Sequence, residues 1–134
     1  AFARVGLVPD LGGFYLLGRA IGTNRAKELC FTARKVLPDE ARELGIVNHV
    51  FPHDDLMAET RKIAEKIVAG SPTALAMTKN LIDKSGNCTM DEMLEYEGYA
   101  QTIAYLTPEY EEGVRAFREK RAPDFAAAAA AAKG

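Results

Sequence analysis

The chain has 134 residues, 48% hydrophobic and 27% charged, with 17 basic against 19 acidic side chains and a formal net charge of −2. This length and balance fit one modest globular domain. They exclude nucleic acid as a bulk electrostatic partner, because phosphate binding needs clustered positive charge. No apolar run reaches the roughly 18 to 20 residues that span a bilayer, so no membrane partner is expected.

The chain opens at Ala1, without a Met, on residues that already read as folded, and a longer N-terminal part is therefore expected before it. Phe2 to Val8 is short and apolar and runs into Pro9-Asp10, which predicts an extended segment entering a turn. From Leu11 to Ala20, apolar residues at 14, 16, 17 and 20 predict a short helix stopping at Gly22, with Asp10 as its N-cap. A second helix starts at Thr23 or Asn24 and turns Ala26, Leu29 and Cys30 inward. Pro38 suits the first turn of a third helix, Pro38 to Leu44, closed by Gly45. Ile46 to Phe51 is β-branched and aromatic, and predicts a buried strand.

Helices are expected for the rest. One runs from Asp54 or Asp55 to Gly70, and the next opens at Ser71-Pro72 and breaks at Ser85-Gly86-Asn87. Thr89 with Glu92 forms a capping box for a helix to about Leu106. Thr107-Pro108-Glu109 starts a last helix ending near Arg121. Seven alanines follow Phe125, and residues 126–134 receive no function. Cys30 and Cys88 stand in no C-x-x-C pattern, so reduced thiols and a reducing, cytoplasmic location are expected.

Asp10 is the main candidate for chemistry. A carboxylate at a helix mouth, beside Gly12-Gly13 where backbone can approach a ligand closely, can be partly desolvated, which makes it a better base, while the helix N-terminus pulls the other way. By local pattern alone the commoner role of such a residue is a helix cap. His49 and His53 are four apart, but Pro52 lies between them and residue 49 reads as strand, so no metal site is expected. Tyr96, Tyr99 and Tyr105 fall on one helix and read as packing residues.

A longer pattern runs through the chain. Gly6-Leu7-Val8-Pro9-Asp10-Leu11-Gly12-Gly13 is followed by Leu17, Arg19 and Gly22, then by Ala26, Glu28 and Leu29. Ala41 to Asn48, Ser71-Pro72-Thr73 with Lys79, and Glu112 to Arg121 continue the series. In this order they resemble the enoyl-CoA hydratase/isomerase (crotonase) family over residues 2 to 125. The resemblance implies an α/β fold, a spiral of ββα units. Residues 1–50 would be its last turn and residues 51–125 a helical region that assembles trimers or hexamers, so this chain would be mostly α.

The substrate implied is a coenzyme A thioester, with no resident cofactor. Family members that move double bonds carry an Asp or Glu directly after the proline, and Asp10 holds that position. Hydratases of the family place a glutamate where this chain has Phe2, which cannot transfer protons, so isomerisation is favoured. The chemistry is sound: a thioester acidifies its neighbouring C–H bonds, and one positioned carboxylate can take a proton from one carbon and return it to another. The oxyanion donors would lie upstream of Phe2. Phe117 and Lys120 match positions that contact coenzyme A from a neighbouring subunit, against the blander reading of a core Phe and a solvated Lys. Hydration, hydrolysis, aryl-CoA dehalogenation with Asp10 as nucleophile, and a non-catalytic assembly module remain as alternatives.

Overall fold

A computed structural model describes residues 1–131. Two short 3-10 helices, Phe2–Val5 and His53–Asp55, accompany eight α-helices among the described residues. These are α1 (Gly13–Ile21), α2 (Thr23–Thr32), α3 (Pro38–Leu44), α4 (Leu56–Val68), α5 (Pro72–Ser85), α6 (Met90–Tyr105), α7 (Pro108–Glu119) and α8 (Phe125–Ala131). The chain forms two units, the first spanning Ala1–Glu59 and the second beginning at Thr60.

In the first unit, Ile21, Ala26 and Leu29 are buried where α1 meets α2, and Leu17, Val36 and Leu44 pack on them. Arg34, between α2 and α3, bridges Glu28 at 2.8 Å and Glu40 at 2.7 Å, so the two helices share one guanidinium. That charge holds the Glu40 carboxyl below its ordinary range. Helix α3 ends as its sequence predicts, on Gly45 in the left-handed region (φ 84).

In the second unit, the predicted starts form. Ser71 accepts the Ala74 N–H at 3.2 Å, with Pro72 opening α5. Thr89 and Glu92 make the reciprocal capping box at the head of α6. Thr107 accepts the Tyr110 N–H at 3.2 Å at the head of α7. Buried Glu109 accepts from the Thr73 hydroxyl at 3.2 Å, which ties the first turns of α5 and α7 together. Tyr99 and Tyr105 are half exposed rather than interior, and Tyr105 meets Tyr110 edge-on at 4.9 Å.

Two expected extended segments are not strands. Phe2–Val5 is a 3-10 helix in which the Arg4 N–H reaches the Ala1 carbonyl at 3.1 Å, and Gly6 (φ 73) ends it. Ile46 and Val47 both turn their N–H groups back to the Ala41 carbonyl, at 2.8 and 3.3 Å. A strand exists only by pairing with another, and an unpaired segment satisfies its backbone locally. Among the described residues no strand forms, and the described part of the α/β expectation is therefore mostly helical.

Candidate active site

Asp10 sits on a tight turn before α1. The Gly13 N–H donates to the Asp10 carbonyl at 2.8 Å, and the backbone passes through two consecutive left-handed residues, Leu11 (φ 51) and Gly12 (φ 78). Glycine adopts that conformation freely, whereas Leu11 carries a β-carbon into it at a cost of about 1 kcal/mol. Leu11 is also 95% exposed, so packing of its side chain does not offset the strain.

This turn corrects the expected cap. Helix α1 begins at Gly13, two residues later than the pattern predicts, and its N-cap is Gly12, without a side-chain bond. The Asp10 carboxylate is exposed and, among the described residues, makes no hydrogen bond or ion pair. Residues 1–131 thus leave it neither desolvated nor committed to holding the helix. What they do fix is its backbone, through the turn and the adjoining Pro9 ring, whose Cβ would lie 3.6 Å from a Cβ added at Gly13.

The second candidate region is the C-terminal turn of α7. Phe117 is 86% exposed, which removes the core reading of this residue. It lines a cleft of about 430 Å³ together with Tyr110, Val114 and Phe125. Lys120 ends the helix in the left-handed region (φ 54, ψ 40). Its N–H reaches the Phe117 carbonyl at 3.3 Å, and the Arg121 N–H reaches Ala116 at 3.1 Å, the paired bonds of a Schellman closure. Glycine usually holds this place, and a lysine there costs about 1 kcal/mol more. The Lys120 side chain is exposed and has no ion-pair partner among the described residues.

Sequence reasoning missed Glu112. This carboxylate on α7 is buried, with its side chain 4% exposed. It accepts from Arg121 Nη1 at 2.5 Å and Nη2 at 3.0 Å, from the Asp124 N–H at 2.9 Å and from Arg115 Nη2 at 2.5 Å. The Arg121 guanidinium, then the Asp124 N–H, then Arg115 hold it well below the usual carboxylate range. The i, i+3 spacing to Arg115 was visible in the chain. The reach to Arg121 was not, because it depends on the reversal at Lys120.

Of the sequence-predicted site residues, the fold brings Phe117 and Lys120 to one end of α7 in the second unit, while Asp10 belongs to the first. His49 stacks on Phe51 at 5.7 Å, an ordinary side-chain contact.

Comparison with known proteins matches residues 1–128 to the enoyl-CoA hydratase/isomerase family. The chain is 36% identical over 117 residues to a short-chain-enoyl-CoA hydratase of Clostridium acetobutylicum, covering 87% of this chain and 45% of that protein. It is 35% identical over 126 residues to a 1,2-epoxyphenylacetyl-CoA isomerase of Escherichia coli, covering 93% and 48%. A solved structure of an enoyl-CoA hydratase/isomerase from Cupriavidus metallidurans superposes with a TM-score of 0.87 at 42% identity, over 93% of this chain and 47% of that one. The chain spans about half the length of the curated relatives it matches.

Proposed function

Because the chain belongs to the enoyl-CoA hydratase/isomerase family, we propose that the whole protein shifts a carbon–carbon double bond in an acyl-CoA thioester, with Asp10 as the proton carrier. The observation that carries this reading is the uncommitted Asp10 carboxylate. The commonest competing role was the cap of α1, and Gly12 holds that position instead. In the reaction the carboxylate takes a proton from a carbon flanked by the double bond and the thioester side of the chain. The electron pair moves onto the thioester oxygen as an enolate, and the same carboxyl returns the proton at a different carbon. Substrate and product are isomers, so neither water nor a redox partner is consumed.

Phe2 favours isomerisation over hydration, since its ring offers no second proton-transfer group where hydratases of the family resemble one another in carrying glutamate. The exposed Phe117 and the unpaired Lys120 suit the nucleotide end of coenzyme A, the ring packing near adenine and the ammonium meeting phosphate as a point charge. A homotrimer or hexamer is part of this reading. Its support is the apolar surface of the second unit, where Leu94, Ile103 and Leu106 are 52%, 54% and 82% exposed. A reducing, cytoplasmic setting completes the proposal, because Cys30 and Cys88 are free thiols.

The test compares two reactions of the whole protein: isomerisation of a 3-enoyl-CoA and hydration of the corresponding 2-enoyl-CoA. Isomerisation should be the faster by kcat/KM. Faster hydration would overturn the proposal and assign the hydratase reaction.

A further inference from the structure

The buried Glu112 is not explained by capping, by the core or by the reaction. We propose that it is a positioning residue: it locks the chain reversal at the end of α7 and so fixes how Lys120 is presented to the phosphates of coenzyme A. This rests on the coenzyme A reading of Lys120 given above.

Glu112 grips both sides of the reversal. Arg115 lies before Lys120 in the chain, and Arg121 and Asp124 lie after it, yet all three donate to the same carboxylate. Lys120 is the left-handed residue between these limbs. Apart from the clamp, the left-handed lysine is closed by two backbone hydrogen bonds, Lys120 N–H to Phe117 and Arg121 N–H to Ala116, in a conformation that glycine adopts more readily. A strained residue persists where its surroundings over-determine it, and such residues gather at ligand sites.

The clamp also divides the charges. Arg121 is engaged by Glu112 and, at 2.6 Å, by Glu119, so its guanidinium is committed within the fold. Lys120 beside it has no such partner among the described residues. Holding Arg121 inward leaves the neighbouring ammonium to meet an anion. A lysine stem is long and flexible, so its contribution to binding falls when its attachment point also wanders.

The experiment is a double-mutant cycle in the whole protein, reading coenzyme A affinity by calorimetry and kcat at saturating acyl-CoA. Glu112→Gln keeps the shape and removes the charge that holds both arginines. It should weaken coenzyme A binding about 10-fold while kcat stays within about 2-fold, the mark of lost ground-state binding. Lys120→Ala should weaken binding to a similar degree, and the double variant should be no worse than Lys120→Ala alone. Should Glu112→Gln not fold, Arg121→Lys carries the same cycle, since it keeps the cation and loses the forked grip. Parental affinity in Lys120→Ala would overturn the coenzyme A reading itself. Weak binding in Lys120→Ala, with parental affinity in the clamp variant or fully additive losses, would overturn the positioning role alone.

Discussion

Replacing Asp10 with Asn separates chemistry from architecture. The change keeps the side-chain size and removes the basic oxygen. Because Asp10 is exposed and Gly12, not Asp10, caps α1, the fold loses no hydrogen bond. Its stability should therefore change by less than about 0.5 kcal/mol, the usual range for an unengaged surface position. A true cap would behave differently: its loss costs about 1 kcal/mol, or about 2 to 4 °C in a protein of 150–250 residues. Loss of one acid/base group should slow turnover by about 100-fold or more, equivalent to about 2.7 kcal/mol of barrier at 1.36 kcal/mol per tenfold. The assay is isomerase turnover per folded active site, measured beside thermal unfolding of parent and variant. Near-parental turnover would refute the reasoning, and a lowered melting temperature with normal turnover would restore the cap.

Lys120→Gly should raise the thermal stability by up to about 1 kcal/mol, because glycine relieves the left-handed strain; unchanged or lower stability in thermal unfolding would show that the strain is not there. Gly113→Ala should stabilise by about 0.5 to 1 kcal/mol through helix propensity, since the added Cβ would meet the Phe125 ring at an ordinary 3.5 Å; denaturant titration decides it. The depressed Glu112 carboxyl contributes stability that is present above its ordinary value of 4.5 and is lost as pH falls below it. Acid titration of parent and Glu112→Gln should accordingly show the parent losing stability more steeply below that pH, and parallel curves would contradict the clamp.

Local chemistry made much of the helical layout legible. Ser71, Thr89 with Glu92, and Thr107 each satisfy orphan N–H groups within one turn, and Pro38, Pro72 and Pro108 each remove one at the first helical position, so each starts a helix as its sequence predicts. The 46–51 run misled for the converse reason. β-Branched residues announce a surface that a sheet can use, but a strand needs a partner, and the described chain answers the Ile46 and Val47 N–H groups at Ala41 instead.

The candidate site divides along the same line. Sequence alone offered Asp10, Phe117 and Lys120 as candidates, because an ordered motif series carries residue identity and position. The series could not say which Asp10 role the backbone permits; that turned on the left-handed pair Leu11–Gly12, which moves the helix start past it. Nor could it find the role of Glu112, two of whose partners, Arg121 and Asp124, are nine and twelve residues away and reach it only after the chain reverses at Lys120. Spacing within one helix turn is written into covalent geometry. Contacts across a reversal arise from tertiary structure, since only the folded path brings those donors to one carboxylate.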